Sequence, residues 1–190
     1  MKKRLIDYID ENIKVILSIQ KQEKIIQETI NLISKKLLQG GKILLCGNGG
    51  SAADAQHLAA EFLVRLNPKK NRKAIPAISL ATDTSTITAC GNDYNFDKIF
   101  QRTFEALFKK NDVLIVFTTS GKSKNIINVL KSAKKNKIST VGFLGNKGGL
   151  AKKYCDLKII VNSTNVARIQ ESHIFLGHYI FDQVENKLFT

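Results

Sequence analysis

The chain has 190 residues, 43% hydrophobic and 24% charged with two prolines, enough to bury a core without disulfides or structural metal, and a composition that excludes intrinsic disorder and Pro-rich linkers. No apolar run approaches the roughly 18 to 20 residues that span a bilayer, and acids interrupt the start MKKRLIDYIDENIK where a signal peptide carries its apolar stretch, so the sequence reads as cytoplasmic, with no membrane partner. The formal charge of +14 is spread from Lys2 and Lys3 through Lys69, Lys70 and Lys73 to Lys134, Lys135 and Lys137 without an aromatic-interleaved stripe, which reads as a solvated surface with no nucleic-acid partner.

Ile6, Ile9, Ile13, Ile16 and Ile19 recur every three to four residues, and after a polar break Ile26, Ile30, Ile33 and Leu37 do the same. That period predicts two amphipathic helices closing at Gly40 and Gly41. Short apolar runs then alternate with helical stretches: Ile43 to Cys46, Ala77 to Ala81, Val113 to Phe117, Thr140 to Leu144 and Leu157 to Val161. Helices are predicted from about Ala52 to Arg65, Asp97 to Phe108, Lys124 to Asn136, briefly near Leu150, and from about Ala167 to Leu188. The implied architecture is α/β, a three-layer sandwich with a five-stranded parallel sheet flanked by helices and preceded by N-terminal helices. In such a sheet a ligand lies beyond the carboxyl ends of the strands, so the loops after Cys46, Ala81, Phe117 and Leu144 are where chemistry belongs. Cys46, Cys90 and Cys155 show no CxxC spacing and read as reduced thiols packed as small hydrophobes.

Cys46-Gly47-Asn48-Gly49-Gly50-Ser51 follows the first strand and opens a helix, so backbone N–H groups and a helix start converge where an anion can lie. Gly47, Gly49 and Ala52 also satisfy the loose dinucleotide fingerprint, but no acid ends the second strand at the usual distance, and Asp83 arrives about ten residues late. After the third strand comes Phe117-Thr118-Thr119-Ser120-Gly121-Lys122-Ser123. Its tail imitates a Walker A motif, but Val116 occupies the place of the required earlier glycine, so ATP hydrolysis is not supported. Hydroxyls and helix-start amides suit a sugar phosphate; the plain alternative is that Ser120 and Ser123 merely cap the next helix. His57 and Glu61 stand four apart on the helix that begins at the first loop, so both project from one face. On the last helix Gln170 and His178 are eight apart, about 80° round the axis, and by periodicity Glu171 is an equal candidate. These N and O donors fit zinc chemistry, although glutamine is an unusual ligand. His173 reads as a packed or surface histidine.

The two loops, Gly47-Asn48-Gly49-Gly50-Ser51 and Thr119-Ser120-Gly121-Lys122-Ser123, resemble those of the sugar isomerase (SIS) domain family over nearly the whole chain. Asp54-Ala55-Gln56-His57-Leu58-Ala59-Ala60-Glu61, Gly91-Asn92-Asp93 and Arg168-Ile169-Gln170-Glu171 with His178 resemble, more narrowly, the phosphoheptose isomerases. The resemblance implies one SIS domain over residues 1–190, with oligomerisation helices at about 1–39. It implies conversion of sedoheptulose 7-phosphate to D-glycero-D-manno-heptose 7-phosphate through an enediolate, the first step toward ADP-heptose or GDP-heptose and lipopolysaccharide. It implies a zinc ion on His57, Glu61, Gln170 and His178, with Glu61 as base and His178 as proton shuttle. It implies substrate contacts at Asn48, Gly49, Gly50, Ser51, Glu61, Asn92, Asp93, Thr118, Thr119, Ser120, Ser123 and Gln170, with Arg65 near the site. It also implies a homotetramer in which His178 reaches a neighbouring chain's site. Lys122 departs from a frequent asparagine, and Ala167 sits where some members carry an acid. A paralogue group that binds the replication initiator protein without isomerising is the alternative, and it is expected to lack the matches to Glu61 and His178.

Overall fold

In a computed structural model, which describes residues 4–189, the isoleucine stripes of the N-terminal region fold as helices α1 (Leu5–Ile19) and α2 (Glu23–Leu38), joined by a 3-10 turn at Gln20–Gln22. Lys2, Lys3 and the first residues of the expected oligomerisation arm lie outside the described residues. The polar break between the helices has a job: the Gln22 amide donates to the Ile160 carbonyl at 2.8 Å and accepts from the Ile160 N–H at 2.9 Å. It thereby imitates a neighbouring strand along an otherwise unpaired sheet edge.

Five strands, β1 (Ile43–Gly47), β2 (Ala77–Ser79), β3 (Val113–Thr118), β4 (Ser139–Gly145) and β5 (Leu157–Val161), form one parallel sheet in the order β2-β1-β3-β4-β5. Helices α3 (Gly50–Leu63), α4 (Thr84–Asp93), α5 (Ile99–Leu107), α6 (Lys124–Lys135) and α7 (Val166–Leu188) complete the three layers. Side chains alternate across each strand. Leu45, Ile115 and Phe117 therefore join α2, α3 and α7 in one cluster, while Leu44, Leu114 and Val116 join α5 and α6 in another. The order reverses between β1 and β3, where Gly47 lies opposite Phe117, so the glycine loop and the hydroxyl loop open side by side.

The expected α/β sandwich is present, with local corrections. β2 stops at Ser79 rather than Ala81, α3 begins at Gly50 rather than Ala52, and the segment expected from Asp97 is a 3-10 turn at Phe96–Lys98 before α5. Helix α4 is unforeseen, and Asp83, weighed as a late ribose acid, is its N-cap, accepting from the Ser85 and Thr86 amides. The three cysteines are free and buried, and burial holds the Cys46 thiol well above its ordinary range and pushes Cys155 up to about 12. Among the described residues no helix is long and apolar enough to cross a membrane.

Candidate active site

At the first loop, Ser51 N–H donates to the Asn48 carbonyl at 3.0 Å and Ala52 N–H to that of Gly49 at 2.9 Å, closing the turn into α3. Gly49 sits at φ +57°, in the left-handed region open to glycine. In the second loop Gly121 has φ +63°, and a Cβ there would lie 2.1 Å from the Gly148 carbonyl, so only glycine lets the loop pass under the β4–β5 connection. Thr118 Oγ1 accepts from the Gly121 N–H, and Ser120 Oγ accepts from the Lys122 N–H. Ser123 occupies the N-cap of α6, yet its hydroxyl makes no capping bond. The plain capping alternative therefore does not account for Ser123.

Asn48 is tied across the crevice. Its amide donates to Asn125 at 2.9 Å and accepts from Asn125 at 2.8 Å, so the start of α3 and the start of α6 are joined by a reciprocal amide pair. Asn125, buried in the first turn of α6, was not among the sequence candidates; an asparagine in a polar helix start carries no periodic signal.

About two turns and three turns into α3, the second cluster forms. His57 Nε2 lies 2.8 Å from His178 Nε2 and 3.4 Å from Glu61 Oε1, and the donor atoms of all three lie within 4.8 Å of one another. The imidazoles meet edge-on, with ring planes 79° apart. His178 reaches this cluster within its own chain, rather than only in a neighbour's site. Burial, then the adjacent His57, lower the His178 pKa, with Glu61 opposing, so its neutral ring is favoured. Asp54, one turn before His57, is pushed up to about 6 by burial, with His57 opposing.

The remaining candidates are dispersed. The Gln170 amide rests against Gly50, where a Cβ would lie 2.5 Å from its Nε2. Gln170 thus lies beside the glycine loop, at the start of the helix that carries His57 and Glu61. Glu171, the equal candidate by periodicity, turns to Arg168 at 2.5 Å and to Asn12 of α1. Asn92 donates to Asp93 at 2.9 Å at the exposed end of α4, and Asp93 lines a cavity of about 660 Å³ with Asp83, Thr86 and Arg102. Arg65 is exposed beyond α3. His173 is packed, its ring 6.0 Å from those of Phe117 and Phe143.

A family model described as SIS domain matches residues 7–145. The phosphoheptose isomerase of Clostridium acetobutylicum is 46% identical over 192 residues, covering 96% of each chain. Among solved structures, that of the phosphoheptose isomerase from Neisseria gonorrhoeae superposes with a TM-score of 0.90 at 36% identity, covering 96% of this chain and 97% of that one. The phosphoheptose isomerase from Francisella tularensis superposes at 0.91 and 33% identity, covering 96% of both. Similarity of this extent runs along both loops and both helices that carry the cluster, and the chain belongs to the SIS domain family, among its phosphoheptose isomerases.

Proposed function

We propose that the chain is an aldose-ketose isomerase acting on sedoheptulose 7-phosphate, with Glu61 and His178 as its acid/base pair. The observation that carries the reading is the convergence of His57, Glu61 and His178 on two helices, one of which starts at the glycine loop. The phosphate is held by the helix-start amides at Gly49–Ser51 and by the hydroxyls of Thr118, Thr119, Ser120 and Ser123, with Asn48, Asn92, Asp93 and Gln170 serving the sugar end. The Glu61 carboxylate takes a proton from C1 and returns it to C2, while His178 moves a proton between O1 and O2. The neutral ring favoured at His178 has one nitrogen to donate and one to accept, as that shuttle requires. Ketose and aldose differ only in those proton positions, so no redox cofactor enters.

Two imidazole nitrogens and a carboxylate oxygen suit zinc, which takes nitrogen ligands at about 2.0 Å in tetrahedral geometry. His57, Glu61 and His178 would hold it in the resting protein, with Gln170 as the fourth protein donor, and Glu61 and His178 would serve as base and proton shuttle once substrate exchanges them off the ion. When bound, the ion polarises the substrate carbonyl and stabilises charge on its oxygen. The lowered pKa of His178 works in the same direction, because a protonated ring cannot ligate. We further read the chain as one SIS domain that assembles as a cytoplasmic homotetramer through its N-terminal helices and feeds heptose to nucleotide-heptose and lipopolysaccharide synthesis.

The test is incubation of zinc-loaded protein with sedoheptulose 7-phosphate, followed by NMR of the aldoheptose phosphate, beside Glu61→Gln. Turnover that falls by about 10²- to 10⁴-fold in the variant, the usual contribution of a general base, is expected. Absence of turnover in both proteins overturns the substrate assignment; equal turnover overturns the role of Glu61.

A further inference from the structure

The segment between α3 and β2 reads as a solvated charge run, Asn67-Pro68-Lys69-Lys70-Asn71-Arg72-Lys73, yet one of its cations is in the interior. The Arg72 side chain is 2% exposed and its partner Glu185 is fully buried. Arg72 Nε donates to Glu185 at 2.6 Å, Nη2 to the Glu61 carbonyl at 2.8 Å, and Nη1 to the carbonyls of Phe62 at 2.9 Å and Lys73 at 3.0 Å. The last carbonyls of a helix lack intrahelical donors, and a cation there also meets the negative end of the dipole. The guanidinium therefore closes the end of α3 at the residue that supplies the carboxylate of the site. Glu185 lies seven residues after His178, two turns along the same face of α7. One planar group thus fixes the two helices that bring His57 and Glu61 to His178.

We propose that Arg72 is a positioning residue, holding α3 against α7 in the register that brings His57 and Glu61 to His178. A buried ion pair is a poor source of net stability, because desolvation offsets its attraction, and apolar residues of similar volume often replace one at no loss. What they cannot supply is the fork, whose planar donors fix three carbonyls and a carboxylate at once. Only one Glu185 oxygen is so engaged, and Oε1 is buried without a partner. An arrangement that leaves a carboxylate oxygen unpaired serves geometry better than it serves stability.

The inference rests on the acid/base and metal reading above, and its test separates the two. Arg72→Met combined with Glu185→Leu removes both charges without stranding either, and Arg72→Lys keeps the charge without the fork. Four readouts are compared with the parent protein: thermal unfolding, zinc affinity by titration of the zinc-free protein, kcat against KM, and the imidazole NMR signals of His57 and His178 without zinc. The double variant is expected to fold cooperatively and bind zinc about tenfold more weakly, the low end for groups that orient a ligand. Its kcat falls with KM unchanged, since the glycine loop lies at the other end of α3 and the hydroxyl loop precedes α6, and its imidazole signals shift. Arg72→Lys falls between. Variants that melt lower but keep parental zinc affinity, kcat and imidazole signals overturn the inference. A parent protein that binds no zinc refutes the metal reading alone, and one that shows no turnover refutes the substrate, while the imidazole signals still report on Arg72.

Discussion

Asn48 and Asn125 each engage the carbonyl and one N–H of their amides in the pair, at 2.8 and 2.9 Å, and Asn125 also accepts from the Ile126 N–H. Asn48 is left with one free N–H, so its main service is to hold the glycine loop at a fixed distance from the hydroxyl loop. Asn125→Ala strands the Asn48 amide at a cost of about 1–3 kcal/mol. It is expected to raise KM for the phosphosugar more than it lowers kcat, because it disturbs the phosphate cradle and not the proton-transfer cluster; steady-state kinetics and a thermal melt check both, and an unchanged KM contradicts the role. His173 provides a second test. Burial pushes its pKa down to about 4, with a smaller opposing pull from the Leu144 backbone, which lies outside hydrogen-bond geometry. The unfolded chain titrates this ring near 6.5 and so binds more protons below that pH. Stability is therefore fully present above about 6.5 and is lost as pH falls toward about 4, by roughly 3 kcal/mol across the window. Asp54, partly buried and pushed up to about 6, acts in the opposite sense and more weakly, since its contribution is lost as pH rises through about 6. His173→Leu should flatten the first slope, read as urea midpoints at pH 7 and pH 5.

At the level of elements, the site depends on how closely α3 and α7 approach. Phe62 and Phe181 stack with centroids 3.7 Å apart, and at Gly177 an added Cβ would lie 2.4 Å from Leu58 Cδ1. Gly177→Ala should destabilise by about 1–2 kcal/mol despite its better helix propensity, because the buried Leu58 has no free volume to move into. Leu58→Ala opens that volume, so the double variant should lose less than the sum of the singles, and a double-mutant cycle in denaturant measures the coupling. Strictly additive losses would mean that the helices separate without strain. This crossing is not legible in sequence, where Gly177 sits as an isolated glycine in a helical pattern. Helices α1, α2, α6 and α7 and the strands were legible, because one-sided isoleucine spacing and short buried runs are dictated by burial alone. Helix α4 was not: Thr84–Asp93 is rich in threonine and contains glycine and asparagine, all weak helix formers, and only Ile87 and Cys90 face the core. Its one available signal was the Asp83 N-cap. Of the site, His57 and Glu61 were legible from their spacing on one face. Arg72 and Asn125 were hidden, since nothing in a charge run or a polar helix start marks which member turns inward.

For the whole molecule, the fold separates the two N-terminal stripes. That of α2 is consumed in the core through Ile26, Ile30 and Ile33, whereas that of α1 is buried only at its end, at Ile19, and is left outward at Ile6 47%, Ile9 43% and Ile13 49% exposed, beside Leu5 and Leu17. Leu17 and Ile26 line, with Phe175 and Tyr179 of α7, an apolar groove of about 450 Å³. A surface carrying +14 otherwise repels its copies, so association requires an apolar face of this kind to overcome that repulsion. Because Phe175 and Tyr179 flank His178 on the same helix, a neighbour seated there would cover the flank of the proton-transfer cluster and exclude water from it. Ile9→Glu with Ile13→Glu should leave the chain folded, since both positions are already half exposed, and, on the proposed homotetramer, should convert the four-chain species to monomers in sedimentation velocity. Circular dichroism and a cooperative melt check the fold, and turnover of sedoheptulose 7-phosphate is expected to fall in step with the fraction of assembled protein. The His57–Glu61–His178 cluster is complete within one chain, so zinc affinity should survive in the monomer while turnover does not. Monomers that keep full turnover would show that one chain holds the whole active site and that the exposed stripe serves assembly alone.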